Sequence, residues 1–386
     1  MRVHSIDAVR ATALLCILLM HCDYSFAAGD YTEPLWACEP SFSSGINDYV
    51  NFFLSKVIRL KGVMVFTFLF GLSFYFQMNN ADRRGIDFRA RFCLRLFWLF
   101  IFGLLHVTFY SDDVLTLFAV LGLGLVAIWR LPTSFILGAC VFFLLQPFKI
   151  VEIVMGDGWT IEAFVNRLVC ITPLFPAENA DWSSIAINNL SGAWLKRWIH
   201  WELPSGRLCA TFGMFLLGVL AGRSRIFEQK QSRILMGAAC GAAVCGVVLL
   251  AYYGVVYRFM VTGDTSLHRV VSYLDLIHKE ALILLVVPFF AWLYGCDCMQ
   301  KVLAPVRAIG RCTLTCYITQ GMIMTWFFYP WGLGMFGKLD VTSRCLAGLV
   351  LFAAQMVLCT LWLKKFKYGP LEGIWRKLTR LGMDKK

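Results

Sequence analysis

Two ionisable side chains, Arg10 and His21, lie in the first apolar segment of the chain. They are eleven residues apart, about three turns of an α-helix, so a helix places both on one face. Asp7, three residues before Arg10, can form an ion pair with it. Ionisable residues inside a membrane cost about 2.5–3.5 kcal/mol each on insertion scales and mark functional sites. Because histidine exchanges a proton near neutral pH, we predict that His21 acts as a general base or relays a transferred group. Arg10 is predicted to hold a carbonyl or phosphate oxygen.

A later apolar segment carries a second set with the same spacing. Arg95 and His106 are again eleven residues apart, and Asp113 follows in a short turn. Asp113 can fix the tautomer of a nearby histidine, so His106 is a second candidate base. The first and third apolar segments are predicted to run in the same direction, which would place His106 and Asp113 at the same depth as His21. Arg95 belongs to a basic cluster, which either sets membrane topology or binds a phosphorylated cofactor such as coenzyme A.

Polar residues in a segment near the C-terminus form a third set. Arg311, Thr315 and Gln320 precede or lie within an apolar block. Such side chains usually bond to neighbouring helices, and the alternative is that they line a cavity for a polar substrate or cofactor. We keep both interpretations, and count these three residues with Arg95 as candidate cofactor-binding residues.

The elements that carry these residues are those of a membrane protein. The 386 residues are 59% hydrophobic and only 16% charged, whereas a soluble domain is usually about 45–50% apolar and about 25% charged. The apolar residues form long blocks, which predicts an all-α, polytopic integral membrane protein with about ten transmembrane helices. The predicted blocks cover 8–28, 62–78, 92–110, 114–130, 133–153, 208–222, 233–256, 280–295, 312–330 and 344–363.

The distribution of basic residues predicts the orientation. Segments 27–50 and 109–113 contain no Lys or Arg and are predicted to be outside, which places both termini in the cytoplasm. The chain is predicted to be one multi-pass domain over 1–386, with an outer loop at about 154–207 and a basic cytoplasmic tail at about 364–386. Cleavage of the first block as a signal peptide is an alternative, and Arg10 in its middle argues against it. We attribute the net charge of +12 to cytoplasmic loops facing anionic lipid, and not to nucleic-acid binding.

Most of the 15 cysteines lie inside apolar blocks, where they act as small hydrophobic residues. No paired CxxC motif occurs, so we predict no metal site. A disulfide between Cys22 and Cys38 is left open.

Several motifs resemble the YeiB-type family of bacterial inner-membrane proteins of unknown function. The N-terminal part of the resemblance is Ile6-Asp7-Ala8-Val9-Arg10, Phe68-Leu69-Phe70-Gly71-Leu72-Ser73-Phe74, and Gly103-Leu104-Leu105-His106 with Asp113-Val114-Leu115. The C-terminal part is Gly310-Arg311-x-x-Leu314-Thr315-x-Tyr317-x-x-Gln320, Gly332-x-Gly334-x-Phe336-Gly337, and Phe366-x-Tyr368-Gly369-Pro370-Leu371-Glu372-x-x-Trp375-Arg376-x-Leu378-Thr379. These motifs follow one another along the whole chain. The resemblance implies a bacterial inner-membrane location and argues further against signal-peptide cleavage.

The resemblance also implies a distant likeness to membrane acyltransferases, including heparan-alpha-glucosaminide N-acetyltransferase and the bacterial sugar O-acyltransferases. The sugar acyltransferases carry an Arg-x10-His pattern in their first span, which Arg10 and His21 match. YeiB-type proteins commonly have Gly where this chain has Ala11 and Asn where it has His21, and His106 fits their pattern better.

The sequence therefore predicts a membrane acyltransferase that moves an acyl group, with acetyl favoured, from acyl-CoA to an envelope sugar, a lipid or an exported metabolite. A multi-pass transporter without covalent chemistry is the alternative. A non-catalytic partner of an envelope assembly is a third interpretation, which the intramembrane charges disfavour.

Overall fold

The structure is a computed structural model that describes residues 4–24, 45–58, 61–155, 181–225, 231–262, 267–283, 285–286 and 297–380. Every regular element in these ranges is a helix, so the prediction of an all-α membrane-type fold is confirmed. The elements of the N-terminal half are α1 (His4–Tyr24), α2 (Ile46–Phe53) with a π-turn over Leu54–Ile58, α3 (Lys61–Asp82), α4 (Arg89–Val107), α5 (Leu115–Ile128), α6 (Thr133–Leu144) and α7 (Pro147–Met155).

The second half begins in the predicted outer loop, where short helical turns precede the next long helix. Its elements are α8 (Trp182–Asn188), a π-turn (Asn189–Ala193), α9 (Trp194–Arg197), a π-turn (Trp198–Glu202), α10 (Arg207–Arg223), α11 (Gln231–Thr262), α12 (Leu267–Ala281), α13 (Asp297–Val302), α14 (Arg307–Arg311), α15 (Thr313–Phe328), α16 (Val341–Lys365) and α17 (Pro370–Arg380).

Four helical stretches in the described ranges are long and apolar enough to cross a membrane. They are Lys61–Asp82, Arg89–Val107, Gly241–Phe259 within α11, and Val341–Lys365. A bilayer core needs about 20 apolar residues in a helix, and several other apolar helices, such as Leu115–Ile128, are shorter. About ten spans and cytoplasmic termini therefore remain predictions.

The block at 133–153, interpreted above as one span, is two helices bent by 44° between α6 and α7. The break is at Gln146, whose φ of 54° lies in the left-handed region. Proline disfavours helical backbone in the residue before it, and Pro147 supplies that restriction. The pair counts as a fifth span only if the bent helix crosses the membrane as one unit.

Glycines allow the central helices to touch backbone to backbone. A Cβ at Gly71 would lie 2.0 Å from the carbonyl oxygen of Phe215, and one at Gly218 would lie 2.2 Å from that of Phe68. α3 and α10 therefore pack closely, in the way small residues pack membrane helices.

Both ends of α1 are fixed by the C-terminal half. At its start, Gly310 of α14 lies so close to Asp7 that an added Cβ would be 1.7 Å from the Asp7 carbonyl oxygen. At its end, the buried Arg344 of α16 donates from Nε to the carbonyl oxygen of Cys22 at 2.9 Å. Charged donors near a helix C-terminus satisfy carbonyls that have no partner within the helix. These two contacts set the position of His21.

Candidate functional site

The centre of the candidate site is a buried histidine–aspartate pair between α4 and α5. Nδ1 of His106 lies 2.9 Å from Oδ1 of Asp113, and only 1% and 6% of the two residues is exposed. The second carboxylate oxygen, Oδ2, accepts the backbone N–H of Thr116 at 2.7 Å. Because an ionised carboxylate only accepts, this geometry requires the proton of neutral His106 to be on Nδ1.

The glycine in the Gly103-Leu104-Leu105-His106 motif makes this pair possible. A Cβ at Gly103 would lie 2.8 Å from the Thr116 nitrogen and 2.9 Å from Oδ2 of Asp113. A larger residue there would push the start of α5 away from α4. The glycine therefore lets Asp113 reach His106.

The other ring nitrogen of His106 points toward α15. Nε2 is buried and has no hydrogen-bond partner among the described residues. It faces Gly321, where an added Cβ would be only 2.0 Å from Nε2. A buried nitrogen whose lone pair accepts no hydrogen bond is the feature expected of a base that acts on a bound molecule.

His106 and His21 share a small cavity, as expected from their positions on parallel segments. Both imidazole rings contact Tyr110, whose ring centre is 5.1 Å from that of His21 and 6.0 Å from that of His106. The free space is close to the size of one water molecule, which requires about 10–15 Å³. The lining residues are Ile17, Leu18, His21, His106, Tyr110, Tyr317, Gln320, Gly321 and Met324.

Tyr317 connects the cavity to the turn that carries Asp113. Its ring centre is 4.9 Å from that of His106, and its hydroxyl accepts the backbone N–H of Val114 at 3.2 Å. The phenol therefore helps to hold both the imidazole and the neighbouring turn. A phenol beside a histidine can also donate a hydrogen bond to a polar substrate.

The other proposed partners of His21 lie at the opposite end of α1. Nη1 of Arg10 is 3.7 Å from Oδ1 of Asp7, and its Nη2 donates to the hydroxyl of Ser73. Eleven residues of helix separate Arg10 from His21 by about 16 Å, and Arg10 does not line the cavity. The expected Asp7–Arg10 pair is present, but the structure does not bring it to the histidines.

Three of the candidate cofactor-binding residues make structural contacts. Nη2 of Arg311 donates to the carbonyl oxygen of Lys367 at 3.0 Å. The hydroxyl of Thr315 donates to Glu372 at 2.6 Å. Gln320 lines the cavity, and its Nε2 donates to Oε1 of Gln355 at 2.8 Å. These contacts match the helix-bonding interpretation, and only Gln320 also lies in the cavity.

Glu372 caps the helix that carries half of the cavity. Oε1 accepts the backbone N–H groups of Leu314 and Thr315, at 2.7 and 3.1 Å, at the start of α15. A carboxylate at a helix N-terminus is favourable for this reason. Burial raises the pKa of Glu372 above its ordinary value, and the hydrogen bonds from Thr315 and Leu314 oppose that rise.

Arg95 differs from the other cofactor candidates because its guanidinium is stacked and not hydrogen-bonded. Its Cζ lies 4.3 Å from the ring centre of Trp375, and its Nε is buried without an acceptor in the described part of the chain. It is at the opposite end of α4 from His106, so it does not line the cavity.

Part of the predicted outer loop covers the end of α4 next to the cavity. The buried Asn189 donates from Nδ2 to the carbonyl oxygen of Val107 at 2.9 Å, and Trp182 packs on Phe109. The remainder of the predicted loop, 156–180, lies outside the described residues. Cys38 lies outside them as well, so a disulfide to Cys22 stays open.

Sequence reasoning missed Tyr110, Gly321 and Met324, which line the cavity. Tyr110 had an available signal, because it follows His106 by four residues. Gly321 and Met324 had none, since their role depends on how α15 packs against α4. Within the described ranges, no group of three or more His, Cys, Asp or Glu side chains is arranged to hold a metal ion.

Comparison with known proteins gives the same family as the motifs. Residues 221–382 match the family described as "Protein of unknown function (DUF418)". The chain is 24% identical over 417 residues to "Uncharacterized protein YeiB" of Escherichia coli (strain K12), with 97% of this chain and 95% of that protein covered. The resemblance to the YeiB-type family is confirmed.

Other relatives of the YeiB-type chain come from Bacillus. "Uncharacterized protein YxaH" of Bacillus subtilis (strain 168) is 26% identical over 404 residues, covering 98% of this chain and 94% of the relative. "Uncharacterized 39.9 kDa protein in amylase 3'region" of Bacillus acidopullulyticus is 23% identical over 393 residues, with 98% and 94% covered. These relatives are bacterial and their names carry no activity, so the likeness to membrane acyltransferases stays a prediction.

Proposed function

We propose that this YeiB-type protein is an acyltransferase of the bacterial inner membrane. It would move an acyl group, with acetyl favoured, from an acyl-CoA to a hydroxyl or amine of an envelope sugar, a lipid or an exported metabolite. His106 is the general base, Asp113 holds its tautomer, and His21 and Tyr110 orient the acceptor. The observation that carries the proposal is the buried Nε2 of His106, a residue that lines the cavity, because this nitrogen has no hydrogen-bond partner among the described residues.

The reaction needs one proton acceptor and one site for the thioester carbonyl. Nε2 of His106 removes the proton from the acceptor hydroxyl or amine, whose oxygen or nitrogen forms the new bond to the acyl carbon. The carbon–sulfur bond breaks, and the thiolate of coenzyme A leaves and takes up the proton from the imidazolium. Asp113 stabilises that imidazolium while the proton is on it.

The small size of the cavity favours a short acyl chain. Its space is close to that of one water molecule, and Ile17, Leu18 and Met324 form its apolar wall. A two-carbon group requires limited movement of these side chains, whereas a long chain would require α1 and α15 to separate. Acetyl is therefore the donor group we propose.

Transport without chemistry is the second candidate, and the bent helix favours it. Discontinuous helices in transporters often border a binding site. The break between α6 and α7 places the buried Gln146 against the buried Glu280 of α12, and Nε2 of Gln146 donates to that carboxylate. In this alternative the polar residues form a substrate or proton path.

A doubly labelled donor separates the two functions. The purified protein in liposomes would receive acetyl-CoA with ¹⁴C in the acetyl group and ³H in the adenine, with glucosamine or an extract of bacterial envelope lipids as acceptor. Acyl transfer moves ¹⁴C to the acceptor and leaves ³H on coenzyme A. Passage of both labels together into the liposomes would contradict the proposal and favour transport, and movement of neither label with any acceptor would contradict it as well.

A further inference from the structure

Two arginine side chains lie at the junction of α4 and α17, at the end of the molecule predicted to face the cytoplasm. Arg95 belongs to α4, and Arg376 belongs to the amphipathic α17. α17 is fixed to α4 at this point, because the indole N–H of Trp375 donates to the carbonyl oxygen of Arg95 at 2.9 Å. The two guanidinium groups are near enough for their positive charges to repel each other.

Each guanidinium stacks on an aromatic ring, and neither has an anionic partner in the part of the chain that the structure describes. Cζ of Arg95 is 4.3 Å from the ring centre of Trp375, and Cζ of Arg376 is 4.2 Å from that of Tyr368. Neither guanidinium donates a hydrogen bond to a carboxylate or to any other acceptor among the described residues. Nε of Arg95 is buried without such an acceptor. Both residues are half-buried as a whole.

This arrangement is specific for an anion. Stacking holds a guanidinium by its face and leaves its N–H edge free for bidentate bonds. Two adjacent positive charges without a carboxylate are unfavourable unless an anion lies between them. A phosphate fits because it offers several oxygens and up to two negative charges to two such forks, whereas a single carboxylate offers one charge.

We propose that Arg95 and Arg376 form a binding site for a phosphate group. Trp375 and Tyr368 hold the two guanidinium planes so that their edges converge on the phosphate oxygens. The phosphate belongs either to a soluble coenzyme such as an acyl-CoA or to the headgroup of an anionic lipid, both of which are available on the cytoplasmic side that this end of the molecule is predicted to face. Phosphate binding here goes beyond the proposed acyl transfer, because it would hold if the cavity performed no chemistry.

The matched control is on the same helix. Arg380 is one turn after Arg376, is exposed and has no described partner. Arg380→Gln therefore removes the same charge from α17 without touching the stacked pair. Arg376→Lys keeps the charge and removes the fork, so it separates geometry from net charge.

Binding is measured on the full-length protein in phosphatidylcholine nanodiscs, by calorimetry. The soluble probes are coenzyme A, inorganic pyrophosphate and pantetheine, which lacks phosphate. We expect Arg376→Lys and Arg376→Gln to weaken coenzyme A and pyrophosphate binding by about tenfold or more, and Arg380→Gln to change it by less than about twofold. Monodisperse behaviour and unchanged helical circular dichroism verify that each variant is folded.

The lipid source is tested by native mass spectrometry of the same variants with phosphatidylglycerol. If Arg376→Lys selectively loses phosphatidylglycerol binding, the bound phosphate belongs to a lipid. If it selectively loses coenzyme A binding, the bound phosphate belongs to a soluble coenzyme. Either result supports the site. Equal losses in Arg376→Gln and Arg380→Gln, or no loss of any phosphate probe in Arg376→Lys, would overturn it. No acyl-transfer activity is needed for this measurement, so its failure is separate from failure of the proposed function.

Discussion

Replacing Asp113 with asparagine should remove the base while leaving the site filled. The backbone N–H of Thr116 needs an acceptor in the position of Oδ2, where it is bonded at 2.7 Å. The asparagine oxygen must therefore take that position, and its NH₂ group then points at Nδ1 of His106, 2.9 Å from the present Oδ1. Since an NH₂ group donates, Nδ1 must accept, and the imidazole proton moves to Nε2. Nε2 then becomes a donor and cannot remove a proton.

The magnitude follows from the value of a general base. Such a group contributes about 10²–10⁴ in rate, or about 3–5 kcal/mol in the activation free energy. We expect kcat for acyl transfer to fall by that factor in Asp113→Asn, while thermal stability in detergent changes little because the shape and both hydrogen bonds remain.

The assay is the initial rate of ¹⁴C-acetyl transfer, with Asp112→Asn as the matched control. Asp112 accepts from the hydroxyl of Tyr110 at 3.3 Å, and the asparagine oxygen can keep that contact. A folded Asp113→Asn variant with a rate within about threefold of the unmodified protein, a difference under about 1 kcal/mol, would refute the tautomer argument.

Three further changes test neighbouring features. Gly321→Ala puts a Cβ 2.0 Å from Nε2 of His106, so the imidazole ring must leave its position. We expect thermal unfolding to show a stability loss of about 1–3 kcal/mol, and initial rates to show at least a hundredfold loss of acyl transfer, about 2.7 kcal/mol. Full activity would contradict the placement of the ring. His21→Gln should raise KM more than it lowers kcat, because we assign this residue to acceptor positioning; a kcat loss equal to that of His106→Gln would instead make His21 part of the base. Burial raises the pKa of Glu372 above its unfolded value, so its contribution to stability is greatest below the unfolded pKa and is lost as pH rises through the folded pKa. Glu372→Gln should therefore reduce the fall of the melting temperature as the pH rises above the unfolded pKa of a glutamate, and an unchanged profile would exclude Glu372 as its source.

The shared position of the two histidines could be predicted from the sequence, because depth along a helix follows from spacing. His21 and His106 lie in segments predicted to run in the same direction, and both line one cavity. The contact between Asp113 and His106 was also foreseeable, since a short turn separates them. These features depend on local geometry and helix direction alone.

The helical face shared by Arg10 and His21 does not bring the two residues to one place. Residues on one face of a helix are still about 1.5 Å apart per residue along the axis, so Arg10 bonds to Ser73 while His21 packs on Tyr110. A shared face predicts that two residues meet the same neighbouring helices, and not that they meet each other.

Contacts between distant segments could not be predicted. Gly321 matters because α15 approaches His106, and Arg376 matters because α17 folds back onto α4. Each of these depends on packing between helices far apart in the chain. The bend at Gln146 did have a local signal in the following Pro147, which the apolar pattern of the block concealed.

The central claim is that the imidazole of His106 performs acyl transfer in this cavity. The most direct test compares the initial rate of ¹⁴C-acetyl transfer for His106→Gln with that for His278→Gln, in folded full-length protein. His278 is a suitable control because it also lies near a carboxylate, with Nδ1 3.8 Å from Oδ1 of Asp275, but does not line the cavity. We predict that His106→Gln loses at least about a hundredfold in rate, about 2.7 kcal/mol, and that His278→Gln stays within about threefold of the unmodified protein. Equal rates for the two variants would contradict the claim.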